Sequence, residues 1–141
     1  MKHGILVAIL AAAAIASSAR TISAQAGATN LGSVTLSRKV MADGKPLAAG
    51  TYQVRLTNDQ PQPGVGQSPG AERYVEFVRG GKIVAREVAT VVANADIKEI
   101  MKSSPPAAGS AKVELLKGND YVRVWINRGG NHYIINLPAG A

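Results

Sequence analysis

The C-terminal third of the chain alternates apolar and polar residues so regularly that it restricts the fold more than any other segment. Turns at residues 118–119 and 129–130 divide it into three short runs, and both turns contain glycine. In this register the facing pairs are Leu115–Val122, Val113–Val124, Ile126–Tyr133, Val124–Ile135 and Val122–Leu137. A slip of one residue in either hairpin would spread the apolar residues over both faces. The pattern therefore predicts a three-stranded antiparallel meander.

Upstream of this meander, shorter β-type runs alternate with clusters of turn-forming residues. These runs are VTLSRKV (34–40), TYQVRL (51–56), YVEFVR (74–79) and residues 82–93. Together with the meander they make about seven strands, which predicts an all-β fold, either an antiparallel sandwich or a partly open barrel. We expect residues 27–141 to form a single domain of this kind, with long loops at 58–72 and 103–111.

One segment departs from the strand pattern. In DIKEIMK (96–102) the three large apolar residues share one helical face. Asp96 followed by Glu99 has the spacing of a capping box, in which two side chains satisfy the free backbone N–H groups of the first helical turn. The segment therefore predicts one short helix near 96–102.

Two Arg-Gly-Gly segments, at 79–81 and 128–130, raise the question of nucleic-acid binding. RNA-binding segments of that kind are repeated many times among aromatic residues, whereas each copy here separates two β-type runs. Glycine supplies the positive φ of a tight hairpin, so we interpret both segments as turns and expect no nucleic-acid partner. For the first hairpin we predict a three-residue turn, with the facing pairs Glu76–Arg86, Tyr74–Val88 and Val78–Val84.

Residues 1–26 have the three parts of a secretory signal peptide. A short basic start is followed by an apolar run from Gly4 to Ala16 and then by small residues. The run is shorter than the roughly 20 apolar residues of a membrane-spanning helix. Ala24-Gln25-Ala26 predicts cleavage after Ala26, with Ser17-Ser18-Ala19 as the alternative. We therefore expect a secreted or periplasmic protein that has no transmembrane segment after cleavage.

The composition argues against several kinds of chemistry. The chain has no Cys, and His132 is its only histidine beyond residue 26, so we expect no metal site of the usual zinc or copper type. No glycine-rich phosphate loop opens a helix, so we expect no cofactor. Without disulfides, apolar burial and backbone pairing must hold an exported domain together. The net charge is +7, or 7 − 2 = +5 once Lys2 and Arg20 are removed with residues 1–26, and it suits an anionic partner, although the basic residues are scattered along the chain.

Two patterns resemble catalytic arrangements. Gly66-Gln67-Ser68-Pro69-Gly70 matches the G-x-S-x-G pattern of hydrolases, but it lies in a Pro- and Gln-rich loop that precedes a strand rather than a helix. Glu76, Glu87 and Glu114 would have to meet in space to act as acid and base. We expect a non-catalytic domain, and a small carboxylate-dependent hydrolase is the enzyme alternative.

The outer side of the last hairpin carries the candidate binding site. If Val122, Val124 and Ile126 face the core, the opposite face of the hairpin holds Tyr121, Arg123, Trp125, Asn127, His132, Ile134 and Asn136. An aromatic residue among polar side chains can stack a sugar or anchor a protein partner. This predicts a ligand-binding face around Trp125. In the alternative, the 58–72 loop or the 96–102 helix covers Trp125 and Ile134 as a second small core.

The segment LAAGTYQV (47–54) resembles the L-P-A-G-x-Y-x-V segment of prealbumin-like exported β-sandwiches, which include carboxypeptidase regulatory-like domains. The resemblance implies a turn at Gly50, then a strand whose Tyr52 and Val54 point inward. It also implies a non-catalytic accessory or adhesion module. We therefore expect a binding or scaffolding role in the cell envelope or outside the cell, with an envelope protein or a glycan as partner. A carbohydrate-binding or envelope-polymer-binding module is the alternative function.

Overall fold

The computed structural model describes residues 28–63, 65–66 and 71–140. Its strands are β1 (Thr29–Leu36), β2 (Val40–Ala42), β3 (Lys45–Leu47), β4 (Gly50–Leu56), β5 (Glu72–Arg79), β6 (Lys82–Ala93), β7 (Ala111–Leu115), β8 (Tyr121–Arg128) and β9 (Asn131–Pro138). One helical turn, α1 (Ile97–Ile100), lies between β6 and β7, and a 3-10 turn covers Lys117–Asn119. The predicted signal peptide and its cleavage site lie outside these residues. Within them, no helix is long and apolar enough to span a membrane.

Seven of the strands form one antiparallel sheet in the order β1-β4-β5-β6-β9-β8-β7, and β2 and β3 form a separate hairpin. Because neighbouring strands alternate in direction and their number is odd, the two edge strands β1 and β7 run the same way. These edges contact each other, and the sheet curls into a nearly closed barrel. The predicted all-β fold is confirmed, and of its two predicted forms the structure has the partly open barrel.

The C-terminal meander has the register that the alternation predicts. All five predicted pairs occur, among them Val113 with Val124 and Val124 with Ile135. In the turn between β7 and β8, both Gly118 and Asn119 have positive φ. Turn chemistry and the buried face together therefore determine this register.

The hairpin of β5 and β6 confirms two of its three predicted pairs and corrects the turn. The observed pairs are Glu76–Arg86, Tyr74–Val88 and Val78–Ile83, with Ile83 in place of the expected Val84. The predicted three-residue turn is wrong, because Gly80 and Gly81 alone form the turn, both with positive φ. A β-bulge beside Phe77 takes up the extra residue and restores the predicted register further along the strands.

Apolar side chains from the inward parity of the strands fill the barrel. The most deeply buried large ones are Phe77, Leu36, Ile126, Ile135 and Leu137, none of them more than 1% exposed. Tyr52 and Val54 also point inward, which confirms that part of the expectation. The Tyr52 hydroxyl donates to the Ala48 carbonyl at 2.6 Å, so its one polar atom is satisfied at the edge of the core.

The hairpin of β2 and β3 closes one end of the barrel. It contributes three buried residues to the main core, namely Val40, Ala42 and Leu47. The backbone N–H of Asp43, in its turn, donates to a carboxylate oxygen of Glu87 at 2.8 Å. We call the opposite end of the barrel, where β1 begins and β4 ends, the mouth.

The pairing of β6 with β9 forces the chain to cross the outside of the sheet. β7 follows β6 in sequence, yet β9 and β8 lie between them, so residues 94–110 pass over the outer face of these two strands. We call residues 94–110 the strap. Its helix α1 is shorter than the predicted helix over 96–102. Asp96 makes no capping hydrogen bond with its side chain, so the predicted capping box is wrong.

Substitutions in the Gly129-Gly130 turn test whether these glycines are needed only for their backbone conformation. Their φ angles are 63° and 83°, and a Cβ added to either would meet no atom within 4 Å. Gly130→Ala is expected to destabilise the protein by about 1–2 kcal/mol, because an L-residue is strained in this conformation. Gly129→Asn should change the free energy of unfolding by less than about 0.5 kcal/mol, since asparagine tolerates it. Urea unfolding followed by circular dichroism measures both, and equal losses would contradict the turn assignment.

Candidate functional site

Trp125 lies under the strap and has no accessible surface. It belongs to a small apolar cluster, separate from the barrel core, that also contains Val92, Ile97 and Ile134, with Met101 packed against it. The predicted binding face requires Trp125 to face solvent, but the side chain is fully buried. The structure has the alternative arrangement, in which the segment around α1 covers a second small core.

His132 is also fully buried, and both of its ring nitrogens are hydrogen-bonded. Trp125 Nε1 lies 2.9 Å from His132 Nδ1, and His132 Nε2 lies 2.9 Å from Asn94 Oδ1. An indole N–H only donates, so Nδ1 must accept, and the proton of the neutral ring must be on Nε2, which donates to Asn94. Burial lowers the pKa of His132 below its usual 6.5, because the charged form loses solvation.

Lys112 and Asn127 fasten the rest of the strap to the sheet. The Lys112 ammonium lies 4.8 Å from the centre of the Trp125 ring and donates to the Ser104 carbonyl. The Asn127 side chain donates to the Pro106 carbonyl at 2.9 Å. Asn127 thus holds the strap in place and is not free to bind a ligand.

Solvent reaches Tyr121, Arg123 and Asn136 of the predicted face, and also part of Asn127, which is half-buried. Tyr121 and Asn136 are exposed, whereas Arg123 is half-buried and its Nε has no hydrogen-bond partner. Arg123 and Asn136 face each other across β8 and β9, so these three side chains lie close together. That they bind a ligand stays a prediction, now without Trp125 and His132 at its centre.

The structure does not bring the three candidate carboxylates to one site. Glu76 is on the outward parity of β5, Glu87 is on the inward parity of β6, and Glu114 is on the edge strand β7. Acid–base work on a glycosidic bond needs two carboxylates on one site, roughly 5–10 Å apart. Across the described ranges, no three His, Cys, Asp or Glu side chains are grouped to hold a metal ion. Ser68 of the hydrolase-like pattern lies outside these ranges.

The mouth of the barrel holds a concave site that the sequence analysis did not identify. Its volume is about 220 Å³, and its walls are Leu56, Gln60, Ala71, Arg73, Val91, Asn131 and Tyr133. Leu56, Val91 and Tyr133 form an apolar floor, because they pack against the core inside the barrel. Arg73 and Asn131 are half-buried at the rim, at the first inward positions of their strands.

The polar side chains among the described residues that line the mouth are cationic or neutral. Arg73 is the only charged residue among the described residues that line it. A second arginine, Arg128, faces Asn131 across β8 and β9, and its Nη1 lies 3.3 Å from the Leu31 carbonyl oxygen of β1. Arg128 thus spans the gap beyond Ala111, the first residue of β7, and adds positive charge beside the rim. The mouth is suited to a ligand with a negative group.

A smaller depression, of about 190 Å³, lies between the β2–β3 hairpin and the start of β6. Its lining carries both signs of charge, namely Asp43, Lys45 and Arg86. Two apolar residues of β6, Ile83 and Val84, are partly exposed there. This depression lacks the single sign of charge that distinguishes the mouth.

No protein-family model matches the chain, and comparisons with curated proteins and with solved structures gave no match either. The resemblance of residues 47–54 to prealbumin-like sandwiches therefore stays a prediction. What the protein does must be inferred from the geometry of its own residues.

Trp125→Phe and Tyr121→Phe are a matched pair that tests the covered face. Trp125→Phe leaves His132 Nδ1 buried without a donor, which should lower the free energy of unfolding by about 1–3 kcal/mol. Tyr121, on the same face of the same strand, is 46% exposed, so Tyr121→Phe should cost less than about 0.5 kcal/mol. Urea unfolding measures both changes. A cost for Trp125→Phe no larger than that for Tyr121→Phe would show that the indole N–H is not buried against His132.

Proposed function

We propose that this chain is an exported, non-catalytic binding domain that holds a small ligand with an apolar body and one anionic group in the mouth of its barrel. One observation carries the proposal, a change of residue type along the inward parity of β5 and β9. Inside the barrel these positions are apolar, as at Val75 and Ile135, whereas at the mouth they are Arg73 and Asn131. Export rests on the signal-like residues 1–26.

The shape of the mouth favours a small molecule over a polymer. Small-molecule sites are concave and mostly apolar, carry a few polar groups that fix orientation, and often lie in the mouths of β-barrels. The volume of about 220 Å³ is below the roughly 300–1,000 Å³ of pockets that hold drug-sized ligands. Leu56 and Val91 are only half-buried, so the body of a ligand would remove more of their apolar surface from water.

The charge at the rim favours an anionic group. The guanidinium of Arg73 presents several N–H donors in one plane, which suits a carboxylate, sulfate or phosphate. The amide of Asn131 can donate one further hydrogen bond. Without residues 1–26, which contain Lys2 and Arg20, the net charge is 7 − 2 = +5, and this charge would also raise the local concentration of anions near the protein. The glycan alternative has less support, because the strap covers the Trp125 ring that would stack a sugar.

An NMR titration with hexanoate tests the proposal, because this carboxylate joins a short apolar chain to one negative charge. We expect binding that Arg73→Gln weakens by roughly 10–100-fold, since a hydrogen bond to a charged group contributes about 1.5–3 kcal/mol. Arg79→Gln is the matched control, because Arg79 has the same charge on the same strand but lies at the closed end. It should change the affinity less than about twofold.

Hexanol and hexylamine complete the titration by separating the apolar contribution from the charge. Hexanol should bind at least roughly tenfold more weakly than hexanoate, and hexylamine more weakly still. The absence of hexanoate-induced shifts at the amides of Leu56, Val91 and Tyr133 would overturn the proposal. Equal weakening by Arg73→Gln and Arg79→Gln would also overturn it, since the effect would then come from net charge alone.

A further inference from the structure

The strap begins with a contact that depends on the protonation state of His132. The neutral ring accepts the Trp125 indole N–H at Nδ1 and donates from Nε2 to Asn94, the first residue of the strap. An imidazolium carries protons on both nitrogens, so protonation turns Nδ1 into a donor. Two N–H groups would then face each other across 2.9 Å. The protonated ring is incompatible with the closed contact.

Among the described residues, no carboxylate forms a hydrogen bond or an ion pair with His132 in the closed state. Its two hydrogen-bonding partners, Trp125 and Asn94, are uncharged. The ammonium of Lys112 lies 4.8 Å from the centre of the indole ring and is paired with Glu114 at 2.8 Å. The other charged residues of the elements around the cluster are Asp96, Lys98, Glu99 and Lys102 on the strap, Lys82, Arg86 and Glu87 on β6, and Arg123 and Arg128 on β8.

The strap can leave the sheet without opening the barrel. Its Ile97 packs against three buried residues of the sheet, Val92, Trp125 and Ile134, and the barrel interior has its own, larger core. The strap contributes no strand to the seven-stranded sheet, whose ladders pass beneath it. Loss of the strap contacts would therefore expose Trp125 and Ile134 while every strand keeps its neighbours.

We propose that the strap is an acid-released lid: protonation of His132 breaks its contacts with Trp125 and Asn94 and uncovers the aromatic face of β8 and β9. The closed state holds the ring neutral and the open state returns it to solvent. Closure is therefore complete above pH 6.5 and weakens as the pH falls below it. The opening equilibrium rises about tenfold per pH unit until the lowered pKa of the closed state is reached, and then levels off. In an exported protein the solution outside the cytoplasm sets this pH.

Hydrogen exchange read by mass spectrometry tests the lid directly at pH 7.5 and pH 5.0, with rates corrected for intrinsic exchange. Peptides from the strap should exchange at least roughly tenfold faster at pH 5.0, while peptides from β5 and β9 keep their protection. His132→Asn is the main variant, because its Oδ1 can still accept from Trp125 but does not titrate. In this variant the corrected exchange rate of the strap peptides should change less than about twofold between the two pH values. Every carboxylate is retained in this variant, so effects of Asp96, Glu99 or Glu114 would persist in it.

Asn94→Asp is a second variant, at an exposed position where loss of folding is not expected. A carboxylate next to Nε2 favours the imidazolium, so it raises the pKa of His132 in the closed state. The increase in strap exchange between pH 7.5 and pH 5.0 should therefore be smaller in this variant than in the parent protein. Acid-induced exchange that is the same in the parent and in His132→Asn would overturn the proposal. The proposal would also be overturned if the strap peptides exchanged no faster at pH 5.0 than at pH 7.5, or if β5 and β9 lost their protection together with the strap.

Discussion

The pairing of β6 with β9 is the contact on which the rest of this structure depends. Four residue pairs, from Thr90 with Ile134 to Ala93 with Asn131, join the N-terminal strands to the C-terminal meander. The partners are far apart in sequence, so this ladder bears the largest loop-closure cost of the neighbouring strand pairs. Once formed, it makes one sheet of seven strands, leaves β1 and β7 as the edges, and obliges the strap to cross β9 and β8.

The crossing of the strap decides which surfaces remain for recognition. It removes Trp125 and His132 from solvent and uses Asn127 as an anchor, so the part of the outer face that carries Trp125 becomes a small core. At the mouth, by contrast, the pairing of β6 with β9 assembles a site instead of covering one. There the same ladder places Val91 beside Tyr133, and the rim gains Arg73 from β5 and Asn131 from β9. One long-range pairing thus covers one candidate site and assembles another.

The parts of the fold that were predictable from the sequence are those that local rules determine. Two glycine-containing turns and one buried face leave a single register for the C-terminal meander. The bulge in the β5–β6 hairpin was not predictable, because Ile83 and Val84 are both apolar and alternation cannot choose between them. Whether Trp125 is exposed depends on the strap crossing β9 and β8, and no local sequence pattern determines that crossing. Arg73 and Asn131 were missed because only the β6–β9 ladder brings their strands to one rim.

Trp125 is the only tryptophan of the chain, so its indole N–H gives a single NMR signal that reports on the covered face. Exchange of this proton with water at pH 7.5 is the most direct measurement of whether the strap crosses the sheet. A proton buried against His132 Nδ1 exchanges far more slowly than that of free tryptophan and shows nuclear Overhauser effects to Ile97. An indole proton that exchanges as fast as that of free tryptophan would contradict this account and return Trp125 to the surface as a binding residue.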